Sequence, residues 1–200
     1  MELLGERWSL LVVRELMFGP RRFSDLRASL PGISAKVLTE RLAGLENAGV
    51  LTRGKLPPPV SAQAYELTDW GYRAEPLIQE LGRWAAMSSQ HDPTLPLSPV
   101  SFMLSLRTML DKEAAKSWNA RIGFRFPEVG FVANLKDGDM PVRREEPKDC
   151  DATFIAPSGP SLAAMFYVGM VAPEVGVTVQ GEHKAAQKFM ALFNLPEKIG

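Results

Sequence analysis

Apolar residues recur at helical spacing through residues 1–90 and at alternate positions through much of the remainder. Leu4, Trp8, Leu11 and Val12 share one helix face, and the run ends at Gly19-Pro20, a pair that stops a helix. Phe23 to Leu30 predicts a second, short helix closed by Pro31-Gly32. A third starts at Ser34, a good N-cap, and stacks Leu38, Leu42 and Leu45 before Gly49. Val50 to Arg53 and Ala64 to Leu67 predict two strands around a loop containing Pro57-Pro58-Pro59. Thr68 caps an expected fourth helix, bent at Pro76, in which Leu77, Ile78, Leu81, Trp84 and Ala85 form a wide apolar stripe. Three short helices followed by a hairpin is the element order of a winged helix-turn-helix.

His91-Asp-Pro-Thr-Leu-Pro-Leu-Ser-Pro99 carries three prolines and reads as an extended connector, so the expected division is 1–90, a linker at 91–98, and 99–200. Beyond it, Ser98-Pro99 starts a helix with Phe102, Leu106, Met109 and Leu110 on one face. Strict alternation follows. Ile122, Phe124 and Phe126 oppose Arg121, Gly123 and Arg125, and Phe131, Ala133 and Leu135 form the inward set of a second strand. Asp137-Gly138 marks a tight hairpin turn. Further strands are expected at 152–156 and 175–179, with a helix at 161–170 between them and a closing helix carrying Ala186, Phe189, Met190 and Phe193. The expected fold class is therefore α+β in two domains, a winged helix followed by a sheet with helices packed on it.

Composition changes this picture little and charge changes it more. The chain has 200 residues, 46% of them hydrophobic, and no formal net charge. No apolar run reaches the roughly 20 residues of a membrane helix and the N-terminus lacks the order of a signal peptide, so a cytoplasmic location without membrane insertion is expected. Between Arg7 and Lys55, however, nine basic side chains face four acidic ones, so a local positive surface can exist on a neutral protein. The third helix keeps its leucines on one face and carries Lys36, Glu40 and Ala43 on the other, flanked by Val37, Thr39 and Arg41. Such a helix fits the major groove, about 12 Å wide, while basic groups on a wing neutralise phosphates. A solvated amphipathic helix beside an ordinary hairpin accounts for the same pattern.

The residues "GERWSLLVVRELMFGPRRFSDLRASLPGISAKVLTERLAGLENAGVLTR", then "YELTDWG" and "LGRW", resemble the HxlR family of winged-helix transcription regulators over about residues 3–85. The resemblance implies a recognition helix at 34–48, a supporting helix at 23–30 and a wing at 51–67. It also implies a homodimer, joined by the first and last helices of the domain, on double-stranded DNA. The DNA-contacting residues expected are Ser34, Lys36, Val37, Thr39, Glu40 and Arg41 on the helix, with Arg53 and Lys55 on the wing. Family members often carry a cysteine in a longer N-terminal extension. This sequence begins at Met1, just before Gly5-Glu6-Arg7-Trp8, so cysteine-based sensing is not expected and the dimer arm is expected to be short.

The second half is similar, more loosely, to sterol-carrier-protein-like domains, through "FMLSLRTML", "DCDATFIAP" and "VTVQGEHKAAQKFMALFNLP". That likeness implies a tunnel for an apolar effector, which Phe102, Leu106, Phe124, Phe131, Phe154, Met165, Phe166 and Met190 could line; the same residues could equally fill a dry core. The remaining chemistry is sparse. His91 and His183 lie far apart and suggest no metal site; no phosphate loop or nucleophile elbow is present, and no cofactor is expected. Glu145-Glu146 and Asp137-Gly138-Asp139 read as a solvated strand end and a turn, and Cys150, between Asp149 and Asp151, as an inert thiol whose pKa its neighbours raise. The expected function is a dimeric regulator, not an enzyme, whose second domain senses a hydrophobic ligand. The alternative is a lipid carrier whose helical domain only dimerises.

Overall fold

The computed structural model describes residues 4–56, 62–92 and 95–199 and divides into two compact units, Met1–Ile78 and Gln79–Gly200. The first unit contains α1 (Ser9–Leu16), α2 (Phe23–Ser29), α3 (Ala35–Asn47), β1 (Leu51–Lys55), β2 (Gln63–Leu67), α4 (Asp69–Tyr72) and the start of α5 (Glu75–Met87). Leu38, Leu42 and Leu45 of α3 are buried as expected, with Leu26 of α2; on α1, which starts only at Ser9, the buried apolar residues are Val12, Val13 and Leu16, whereas Leu4, Trp8 and Leu11 of the expected face are half-buried. Ser34 caps α3 as expected, its Oγ accepting from the backbone N–H of Val37 at 3.2 Å. The antiparallel β1–β2 hairpin pairs Arg53 with Tyr65, and the backbone of Arg21 adds a short third rung by exchanging two hydrogen bonds with Tyr65. The triple proline lies outside the described residues.

The expected single helix after Thr68 is two. Thr68 Oγ1 accepts from Gly71 N–H and caps α4, the chain breaks at Arg73-Ala74, and Pro76 sits in the first turn of α5. A proline there loses no hydrogen bond and needs no bend, because first-turn N–H groups have no partner within the helix.

The second unit holds the remainder of α5, then α6 (Pro99–Met109), α7 (Lys112–Ala115), β3 (Ala120–Arg125), β4 (Gly130–Leu135), β5 (Val142–Arg143), β6 (Ala152–Ile155), α8 (Gly159–Ala163), β7 (Thr178–Gly181) and α9 (His183–Met190). The sheet order is β5-β4-β3-β6-β7, with β3 and β6 parallel and the other pairs antiparallel. Asp137 (φ 52°) and Gly138 (φ 80°) both adopt the left-handed region that a two-residue hairpin turn requires. Two expected elements shift. The helix expected over 161–170 begins earlier, behind the Ser158 cap, and passes into a π turn at Ala164–Val168; the strand expected at 175–179 starts only at Thr178, because Ala172–Val175 winds as a 3-10 turn.

One sheet face carries an aromatic cluster. Phe124 and Phe154 stack at 5.5 Å, Phe102 of α6 meets Phe124 at 6.2 Å, Phe166 of the π turn meets Phe154 at 5.1 Å, and Phe189 of α9 meets Phe193 at 4.8 Å. Alternation alone would leave the opposite face to solvent, yet Gly123, Gly130 and Val132 are buried there too. A Cβ at Gly123 would come within 2.5 Å of Pro147 and 3.2 Å of Cys150, so the segment carrying them covers this face. Glu145 and Glu146 are not simply solvated: they pair with Arg121 at 2.8 Å and Arg125 at 3.3 Å. The Cys150 thiol is raised as expected, but mainly by burial; Arg121 and Thr153 oppose the shift, and Asp151 is the smallest contributor.

Candidate nucleic-acid interface

The first half of α3 presents an open polar face. Ser34, Lys36, Thr39 and Glu40 are exposed, whereas Val37 and Arg41 are half-buried. This division follows from the three leucines, which turn the opposite side of the helix into the core. The Thr39 hydroxyl donates to the Ala35 carbonyl at 2.9 Å, so outward it offers its methyl group and oxygen lone pairs rather than a donor. Arg41 is turned to the protein: its Nη1 donates to Glu6 Oε2 at 2.7 Å, and its buried Nε has no hydrogen-bond partner among the described residues.

The two wing cations differ. Lys55 is exposed at the end of β1 and makes no ion pair among the described residues. Arg53, also exposed, donates through Nη2 to Glu46 Oε2 at 2.9 Å, and its guanidinium lies 5.4 Å from the centre of the Tyr65 ring. Sequence spacing picked out Arg53 but missed both partners. Glu46 stands seven residues earlier on another element, and Tyr65 becomes a neighbour only once the hairpin register is known.

Within α1 lies a buried charged group that the periodicity concealed. Glu15 sits on α1 among Val12, Val13 and Leu16 with its side chain fully buried. It accepts from Arg14 at 3.0 Å and from Arg21 at 3.0 Å, and Arg21 also donates to the Asp25 carbonyl. A carboxylate so deep is tolerated because two guanidinium groups satisfy it. Since the backbone of Arg21 pairs with Tyr65, the cluster ties α1 to the base of the wing. At the start of α2, Arg22 donates to both carboxylate oxygens of Asp25, at 3.1 and 3.2 Å. Burial pushes the Asp25 pKa up, but hydrogen bonds from Arg22 and Ser24 more than offset it and hold the group below its ordinary value.

On α5, Leu77, Leu81 and Trp84 are 61%, 49% and 71% exposed, while Ile78 and Ala85 of the same stripe are half-buried. The expected effector-lining residues Phe102, Leu106, Phe124, Phe131 and Phe154 are fully buried, Met165 and Phe166 nearly so, and Met190 half-buried. Among the described residues no group of three or more acidic, histidine or cysteine side chains could hold a metal ion, and no helix is long and apolar enough to cross a membrane.

Comparison with known proteins places the first unit. The HxlR-like helix-turn-helix family matches residues 3–93. The HTH-type transcriptional regulator YvaP of Bacillus subtilis is 40% identical over 84 residues, which are 42% of this chain and 78% of that protein. The HTH-type transcriptional regulator YodB of the same organism is 40% identical over 83 residues, 42% of this chain and 74% of its own length. The structure of reduced YodB from B. subtilis aligns with a TM-score of 0.40 at 38% identity, covering 45% of this chain and 88% of that one.

Proposed function

The chain belongs to the HxlR-like helix-turn-helix family and is a DNA-binding transcription regulator; from that premise we propose that it binds double-stranded DNA as a two-fold dimer, with α3 in the major groove and the hairpin on the phosphate backbone. The observation that carries this reading is the exposed face of α3, where Ser34, Lys36, Thr39 and Glu40 stand outward on a helix whose other side is locked in the core. Lys55 supplies an available wing cation. In the free protein Arg41 is engaged by Glu6, and Val37 presents only its half-exposed surface.

The open Leu77, Leu81 and Trp84 face supports a homodimer through α5, since a large apolar stripe left in water marks an association surface. Two recognition helices related by a two-fold axis then enter successive major grooves about 34 Å apart, which demands palindromic half-sites. Selection of bound sequences from random DNA by the purified protein is the test. Enrichment of a palindrome with half-sites one turn apart is expected; an asymmetric site bound by one protomer, or no enrichment, contradicts the reading.

The second unit completes the proposal as a sterol-carrier-like sensing domain that takes an apolar effector between sheet and helices. Its support is local: α8 ends in a π turn whose Met165 and Phe166 join the aromatic cluster and whose last residue, Val168, is exposed, as are Met170 and Val171 after it. The rings touch one another, so an effector has to part them on entry. Apolar compounds are expected to raise the melting temperature of the full chain and to change its DNA affinity by a coupling of about 1–3 kcal/mol. Fatty acids, sterols and aromatic compounds that all leave both unchanged contradict a sensing role.

A further inference from the structure

Arg53 is already engaged before DNA arrives. Glu46 holds its guanidinium at 2.9 Å and Tyr65, opposite it across the hairpin, supplies a ring surface. Glu46 lies in the last turn of α3, where the unsatisfied carbonyl groups carry partial negative charge, so its own helix disfavours a carboxylate there. The pair is also well hydrated, with side chains 43% and 35% exposed, and contributes little to folding. This acid is thus unfavourable for its helix, of small value to the fold, and repulsive to phosphate. Its one clear consequence is to neutralise the wing's arginine and hold it on the recognition helix.

We propose that Glu46 is a positioning residue that limits DNA affinity. It keeps Arg53 docked in the free protein, and a DNA phosphate engages Arg53 only by displacing or sharing that carboxylate. The inference rests on the reading that the wing lies against the DNA backbone. Lys55, two residues further along β1 and without an ion pair among the described residues, has no such restraint.

The test uses the full-length protein and a mixed-sequence DNA duplex, with affinity measured between about 50 and 200 mM salt. Glu46→Gln is expected to bind several-fold more tightly at the low-salt end, with a logarithmic salt dependence steeper by up to about one per protomer. Glu46→Asp keeps the charge and is expected to stay near wild type. In an Arg53→Ala background the Glu46→Gln change is expected to have no effect, because the released group is gone. An equal gain in that background means Glu46 acts only as a general negative charge and overturns the proposal, as does unchanged or weaker binding by the single variant. A wild-type protein showing no salt-dependent affinity refutes the DNA reading itself, an outcome distinct from either. Thermal melts separate a folding defect from these results, and the exposed position leads us to expect none.

Discussion

The helix α5 and the sheet of the second unit treat their apolar residues in opposite ways, although arginines are paired with glutamates in both units. Leu77, Leu81 and Trp84 of α5, a helix that runs from the first unit into the second, stand open, and the arginines of the first unit are drawn into pairs: Arg14 and Arg21 on buried Glu15, Arg41 on Glu6, Arg53 on Glu46. In the second, phenylalanines close on one another across the sheet, and the arginines on the reverse face, Arg121 and Arg125, are matched by Glu145 and Glu146. An open apolar stripe, like an open polar helix face, is what a molecule presents when partners complete it. A closed aromatic cluster is complete without one. The difference teaches that DNA, and the second copy proposed above, would meet surfaces already open on α3 and α5, while any ligand of the second unit must compete with packing that already exists.

The largest test of that contrast is Phe154→Ala. If Phe154 fills a closed core, the change is expected to lower stability by about 3–5 kcal/mol in denaturant unfolding of the full chain. A loss under about 1 kcal/mol would show that the ring lines open space, which erases the distinction between the units. Next comes Glu15→Ala. Removing a fully buried carboxylate leaves Arg14 without this partner and Arg21 with the Asp25 carbonyl, and a loss of roughly 2–4 kcal/mol is expected, moderated because Arg14 and Arg21 remain partly in water. A neutral result would mean that the arginines simply turn outward and the cluster does not brace the wing.

Most of the fold was legible because the periods are clean. The leucines of α3, the Ser34 cap, the β3–β4 alternation and the Asp137-Gly138 turn all lie where their spacing put them. The failures share one cause, which is that local pattern does not record what a segment packs against. Pro76 was read as a bend because nothing in the sequence revealed that α5 starts one residue before it. Gly123 and Val132 fall on the polar side of their strands by alternation, yet the covering segment with Pro147 buries them. On α3, helical phase located the outward residues, but the partners of Arg41 and Arg53 were not legible, because Glu6 and Glu46 meet them only in three dimensions. Glu15 was invisible for the same reason: an acid within an apolar helix gives no hint of its two arginines.

A smaller effect sharpens the comparison at the wing. Lys55→Ala is expected to reduce the salt slope of DNA binding by about one per protomer, and Arg53→Ala by less, since its charge is already matched by Glu46. Equal slopes for the two variants would remove the distinction between free and paired cations. The smallest expected effect is on pH dependence. Because hydrogen bonds hold the native Asp25 pKa below its unfolded value, its contribution is complete above about pH 4 and is lost as pH falls through the lowered native value. Asp25→Asn is expected to remove a few tenths of a kcal/mol of stability at neutral pH and to flatten the acid limb of the stability curve slightly; an unchanged acid limb would show that the Arg22 pair is too well solvated to matter.

The central claim is that α3 reads bases while the wing holds phosphates, and base preference across randomised DNA measures it most directly, compared among the wild type, Lys36→Ala, Thr39→Ala and Lys55→Ala. The helix variants are expected to change which bases are preferred at defined positions of each half-site, and the wing variant to weaken all sequences about equally with the preference intact. Altered preference from Lys55→Ala, with unaltered preference from Lys36→Ala and Thr39→Ala, would contradict it.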